Sequence, residues 1–259
     1  MANKKIEFVA KDVNTFSAWI KKFSSVDKGL LLEIDEPGGR FLAKTYNAEH
    51  SVVKLSSIDF DSAGFTVKPS KDPKRVKVGI YNIVRMMKIM DQFDNEEFSF
   101  TVNWDDVNYK NVIEFTGLSL VLKNKSLKIT VDCTSLDIFG YISDELFTDT
   151  ISAIDEILTE FDLSKEAIEQ INQLCSLEDD KFLEFKNGAN VYLSGKAFEL
   201  LLKELPGEHD GSENTIDLFK DQFANVDVED YAVQMDEDKL VFTSEDKLSI
   251  TVLSEVVKD

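Results

Sequence analysis

The spacing of apolar residues along the chain switches repeatedly between a two-residue period and a helical one. Lys5-Ile6-Glu7-Phe8-Val9-Ala10 alternates like a half-buried strand. Val13, Phe16, Ile20 and Phe23 then recur at helical spacing and define one apolar stripe, with Lys11, Asn14, Thr15, Ala18, Lys21, Lys22 and Ser25 on the other side. Asp12 stands where an N-cap is expected. Leu30 to Asp35, Phe41 to Tyr46 and Ser51 to Ser57 are short β-compatible segments, broken by turn residues such as Pro37-Gly38-Gly39. The order then restarts. Arg75 to Ile80 reads as a strand, and Tyr81 to Asp91 as a helix with Ile80, Ile83, Val84, Met87 and Met90 on its apolar side. Arg85, Lys88 and Gln92 share its polar face with Tyr81. Strands are expected again at Glu97 to Trp104, Val112 to Thr116, Ser119 to Lys123 and Leu127 to Cys133.

The second half repeats this order at an offset of about 151–153 residues. Glu160-Phe161-Asp162-Leu163 stands where Glu7-Phe8-Val9-Ala10 stood. Ser164 caps a helix that buries Ile168, Ile171 and Leu174, and Phe182 to Phe185 takes the place of Leu31 to Ile34. Lys196 to Glu204 has high helix propensity, yet the repeat aligns it with His50 to Ile58, which alternates like a strand. The repeat predicts a strand there. A short helical turn is expected near Asp221 to Asn225, and strands at Ala232 to Asp236, Lys239 to Ser244 and Lys247 to Leu253. The fold class is α+β: a divergent duplication in which each half carries helices on one face of antiparallel sheets. The expected division is 1–135 and 156–259, joined by a linker over 136–155 that is unusually apolar for a connector.

Composition narrows the chemistry. The net charge is −20, but residues 1–140 hold 20 Lys and Arg against 19 Asp and Glu, and the remainder 9 against 30. Such asymmetry points to different partners or different exposure for the two halves. Cys133 and Cys175 lack CxxC spacing and read as unpaired thiols in a reducing compartment. The N-terminus carries no apolar export signal, and no stretch is long and apolar enough to span a membrane, so a cytoplasmic protein is expected. His50 and His209 sit in no catalytic motif, and with the two cysteines they form no zinc-ligand spacing. Glycine-rich phosphate loops are missing. The acidic runs Glu178-Asp179-Asp180 and Asp236-Glu237-Asp238 read as solvated hairpin turns. No cofactor, metal or enzymatic activity is expected.

Two segments carry a resemblance to a known family. They are Val78 to Met90 followed by Phe98 to Val102, and Phe219 to Asn225 followed by Tyr231-Ala232-Val233. With the double duplication and the acidic total, they resemble the DNA sliding clamps, closest to those of T-even-like bacteriophages. The resemblance implies a head-to-tail homotrimer that encircles duplex DNA and serves a DNA polymerase and a clamp loader. It implies that Lys11, Lys21, Lys22, Lys77, Arg85 and Lys88, on or beside the first two helices, meet phosphates without reading sequence. Lys165 and Lys220 are the second half's candidates, each beside acidic residues. It also implies a partner-peptide pocket near the linker, from Ile138, Phe139 and Tyr141 with Leu253 and Val256 and with His50 at its edge. The pairing edges expected for the ring are Val112 to Thr116 and Phe182 to Lys186. The alternative is an acidic DNA mimic that occupies a nucleic-acid-binding enzyme; it accounts for the second half's charge but not for the cationic helices of the first.

Overall fold

The computed structural model describes residues 4–68, 73–93, 97–109, 112–136, 157–205 and 214–256, with backbone alone at 4, 105–109 and 112–118. The chain forms two compact units, Met1–Thr45 with Ser56–Ile142, and Tyr46–Leu55 with Ser143–Asp259. A division by halves would leave Tyr46–Leu55 in the first unit; the structure assigns this segment to the second.

In the first unit, β1 (Lys4–Ala10) lies between β5 (Phe65–Val67) and β7 (Phe98–Tyr109). The sheet continues through β8 (Val112–Lys123) to β9 (Lys128–Asp132), with every pairing antiparallel. A second sheet runs β6 (Arg75–Ile80), β2 (Leu30–Asp35), β3 (Arg40–Tyr46) and β4 (Val52–Asp59). Alternation in β1 turns Ile6, Phe8 and Ala10 inward. Phe8 sits among Phe41, Phe60, Phe65 and Phe100, with ring centroids 5.0 to 6.0 Å away. Burying one such ring stabilises by about 1.5–3 kcal/mol.

Helix α1 (Asn14–Lys21) buries Phe16, Trp19 and Ile20 in this core, flanked by buried Val13 and Phe23. Trp19 joins the predicted stripe because its indole has a partner: Nε1 donates to Ser56 Oγ at 2.9 Å. Asp12 stands one residue before the observed N-cap, Val13, and its carboxylate accepts the Asn14 N–H at 3.0 Å. Helix α2 (Ile83–Met90) is capped by Asn82, whose side chain accepts the Arg85 N–H at 2.8 Å. That start makes Ile83, Met86 and Met90 the inward stripe, so the expected Val84 is instead 47 % exposed.

Two arrays of strands build the second unit. One runs β13 (Glu199–Glu204), β12 (Asn190–Ser194), β11 (Phe182–Asn187) and β14 (Asn214–Phe219). The other runs from β4 through β17 (Ser249–Ser254), β16 (Lys239–Ser244) and β15 (Tyr231–Met235) to β10 (Thr159–Leu163). The ambiguous segment is strand β13, as the repeat required; its helix propensity is overridden by the ladder to β12. Ser164 caps α3 (Lys165–Leu177) by accepting the Ala167 N–H, and the Asp230 carboxylate accepts the Lys165 N–H at 2.7 Å.

Buried polar groups hold the end of this unit together. The four-residue α4 (Lys220–Phe223) carries Gln222, 4 % exposed, whose Nε2 donates to the carbonyls of Ser51 and Ser254 while its Oε1 accepts the Phe219 N–H. Lys54 is 1 % exposed; its ammonium lies 2.8 Å from Asp227 Oδ1 and donates to the Asn225 carbonyl at 2.9 Å. Glu178 corrects the expectation of a solvated acidic turn. It is 3 % exposed, accepts the N–H groups of Asp180 and Ala197, and locks the end of α3 to the β12–β13 turn. Those backbone bonds, led by Ala197, outweigh burial and hold its carboxyl below the usual range.

Candidate nucleic-acid interface

Helices α1 and α2 pack against one another in the first unit. Each buries its apolar stripe, so its cations are turned to solvent. Lys11 is exposed just before α1, and Lys21 is exposed in its last turn, where a cation also favours the helix dipole. Lys22, at the helix end, is half-buried. Arg85 and Lys88 are three residues apart on the outward side of α2, a spacing that sets them on one surface. Lys28 was missed by the sequence reading. It is exposed, and its carbonyl accepts the Ile83 N–H, which brings it to the start of α2. Only pairing could have found it, since it belongs to neither helical stripe.

Lys77 is not on this surface. Its neighbours Val76 and Val78 are fully buried in the core that the helices share, so strand alternation turns Lys77 to the opposite face of the sheet. In the second unit, Lys165 is exposed at the start of α3 beside exposed Glu166 and Glu169. The Lys220 ammonium donates to the Glu178 carbonyl at 2.7 Å and serves as a C-terminal cap for α3. The cationic surface is therefore made by the first unit's helices. It offers several solvent-facing cations, a chemistry suited to phosphates.

The structure brings part of the partner-pocket set together. Ser254 N–H donates to the Ser51 carbonyl, which sets His50 near the chain's last described residues. His50 is exposed at φ 58°, its ring edge-on to Tyr46 at 4.6 Å. Val256 is half-buried and its N–H donates to the Asp217 carbonyl at 2.9 Å. Leu253 corrects the expectation: it is fully buried opposite Leu240, because β17 alternation aims it into the core. Ile138, Phe139 and Tyr141 lie outside the described residues.

One expected pairing edge is corrected. Phe182 to Lys186 forms most of β11, which is bonded on both sides by β12 and β14. Val112 to Thr116 pairs with β7 on one side, while β9 bonds to β8 only over Ser119–Lys123. Among the described residues, the outermost strands of these two sheets next to exposed apolar side chains are β9 and β13. Leu201 on β13 is 43 % exposed and Leu177, at the end of α3, 75 %. Tyr81 and Val131 line one hollow of about 60 Å³ between α2 and β9, and Tyr81 is 68 % exposed.

Both cysteines are free thiols. Burial, with Asp132 adding to it, pushes Cys133 up to about 12, and burial pushes Cys175 up to about 11. Such thiols stay protonated and weakly nucleophilic. No group of three or more His, Cys, Asp or Glu among the described residues is arranged to hold a metal. No helix among them is long and apolar enough to cross a membrane.

No family model matches this chain, and no curated protein matches its sequence. Solved structures do match its fold. The Helicobacter pylori beta clamp bound to a DNA ligase peptide aligns with a TM-score of 0.63 at 12 % identity, over 100 % of this chain and 67 % of that one. Proliferating cellular nuclear antigen from Entamoeba histolytica aligns at 0.58 and 13 % identity, over 97 % and 99 %. The A. fulgidus homologue bound to the C-terminal region of FEN-1 aligns at 0.58 and 12 %, over 98 % and 99 %. The chain thus spans about two thirds of the bacterial clamps and nearly all of the other two chains. It has the fold of the sliding clamps.

Proposed function

We propose that this protein is a DNA sliding clamp of the bacteriophage type, which encircles duplex DNA and tethers a polymerase. The observation that carries the reading is the cationic outer surface of α1 and α2 in a chain of net charge −20. Lys11, Lys21, Lys22, Arg85 and Lys88, with Lys28, face phosphates, and Lys165 adds a weaker contact. The surrounding acidity discourages binding elsewhere.

The ring closes as a homotrimer when β9 of one copy pairs with β13 of the next, which removes two exposed edges. Lys128 on β9 and Glu199 and Glu204 on β13 have complementary charge. The exposed Leu177 and Leu201 of one copy meet the Tyr81–Val131 hollow of its neighbour. Partner peptides from a polymerase and a clamp loader dock beside His50 and Val256.

The test is topological. Loaded protein should remain on nicked circular DNA and slide off the same DNA once linearised. Equal retention on both forms overturns encirclement and favours either simple adhesion or the DNA-mimic reading. Light scattering at micromolar concentration is expected to give three chains; a strict monomer overturns the ring.

A further inference from the structure

Arg40, Arg75 and Arg85 are the chain's three arginines, among 29 basic residues. Arg85 lies on α2. The other two converge on a single carboxylate far from that helix face. Asp35 ends β2, opposite Arg40 on β3 and opposite Arg75 on β6 in the strand registers. Ile34 is fully buried in the core, so alternation puts the whole Arg75–Asp35–Arg40 row on the sheet's other face, away from the helices.

Asp35 is held rigidly. Its Oδ1 accepts Arg75 Nε at 2.9 Å and the Gly38 N–H at 3.1 Å, and its Oδ2 accepts Arg40 Nε at 3.4 Å. A Cβ on Gly38 would come within 2.2 Å of Oδ2, so the hairpin needs glycine there to reach the carboxylate. Burial alone would push the Asp35 carboxyl up, but the Gly38 N–H and the two guanidiniums outweigh it and hold it below the usual range. The Asp35 side chain is 1 % exposed, while those of Arg75 and Arg40 are 64 % and 43 % exposed. The two arginines therefore roof a buried anion and present themselves to solvent. One carboxylate cannot neutralise two guanidiniums, so the row keeps a charge of +1.

The geometry points to an oxyanion receptor at Arg40 and Arg75, whose ligand is a carboxylate side chain of a partner protein. Arginine anchored through Nε keeps its terminal nitrogens for a planar, two-pronged contact that lysine cannot make. One monoanion brings the row to neutrality. The surroundings decide against a polyanion: Glu33 lies one row along the same face, between Lys77 and Leu42, and Glu36 follows Asp35 with its carboxylate on the Lys74 N–H. A duplex laid across the patch would meet those carboxylates, whereas a single acidic side chain would not. This assignment does not depend on the clamp reading.

With three arginines, the Nε–H resonances of the full chain report on the site directly. The probe is acetyl-Gly-Glu-Gly-amide, titrated at constant ionic strength against the Gln peptide. The expected result is a saturable shift at Arg40 and Arg75 with Arg85 unmoved, no response to the Gln peptide, and at least fivefold weaker binding in Arg40→Lys. Three resonances drifting together and linearly would signify bulk ionic strength and overturn the site. No shift at Arg40 and Arg75 would reduce the row to a structural staple. Tighter saturation by inorganic phosphate or by a short duplex than by the peptide would overturn the carboxylate ligand.

Discussion

In the first unit the two helices place Lys11, Lys21, Arg85 and Lys88 in solvent, with no carboxylate between Asn14 and Lys21 or between Ile83 and Met90. In the second, α3 sets Glu166 and Glu169 beside Lys165, and Lys220 is occupied with the Glu178 carbonyl. The interiors differ in degree. The first unit closes around a cluster of phenylalanines, and the second buries Phe185, Phe223 and Phe242 among aliphatic residues, to which it adds the buried Gln222 and Lys54. One repeated pattern of strands and helices thus tolerates different surface charge and different buried polar groups around apolar cores. What the repeat preserves is the position of the apolar stripes; the solvent faces and the small buried polar sites diverge.

The largest expected effects break the contrast between interiors. Phe8→Ala should cost about 3–5 kcal/mol by opening a cavity in the aromatic cluster. Lys54→Met should cost a comparable amount, about 3 kcal/mol, by leaving Asp227 without its ammonium. Urea unfolding measures both. If Lys54→Met is neutral, the buried Lys54–Asp227 pair is incidental to the second unit's stability.

A smaller effect sharpens the contrast between surfaces. Changing Lys21, Lys22, Arg85 and Lys88 together to Ala should lower the salt slope of DNA affinity by up to about 0.9 per lost phosphate contact. Lys165→Ala should change it by less than one such contact. Equal slopes for the two variants would erase the distinction between the units.

The smallest expected effect concerns pH. Asp35 titrates lower in the folded chain than its ordinary value of 3.8. Its stabilising contribution is therefore complete above that value and is lost as pH falls through the lower folded one. Asp35→Asn should be less stable than the parent near neutrality, and the gap should shrink on acidification below about pH 4. A gap that stays constant with pH would show that the carboxylate's charge is immaterial.

Much of this was legible in the sequence because burial imposes periodicity. The stripe of Val13, Phe16, Ile20 and Phe23 followed from period, and the strand expected over Lys196 to Glu204, observed at Glu199–Glu204, followed from the repeat. Val84 was misplaced because it lies about 100° around the helix from Ile83, where the apolar stripe already gives way to solvent. Leu253 was misread because a sequence near the chain's end gives no sign of which strand face meets the core. Glu178 looked like surface charge, since its three-dimensional donors lie at Asp180 and, far along the chain, at Ala197. Lys77 shared a charge with the helices but belongs to the other side of a sheet. The Arg40–Asp35–Arg75 row is spread over 40 positions and has no local signature.

The assignment of Tyr46–Leu55 to the second unit bears on how the chain is made. These ten residues leave the ribosome with the first unit, yet their own unit is completed only by Ser143–Asp259. At ordinary elongation rates the segment waits roughly ten seconds for its partners. Lys54 and the Ser51 carbonyl spend that interval without Asp227 and Gln222. A fragment cut at the linker inherits the same deficiency: residues 143–259 alone lack the segment that their buried amide and carboxylate are built to hold. Adding a peptide of residues 46–55 should restore order to that fragment, and the two parts of the chain are better regarded as sequentially completed than as separable.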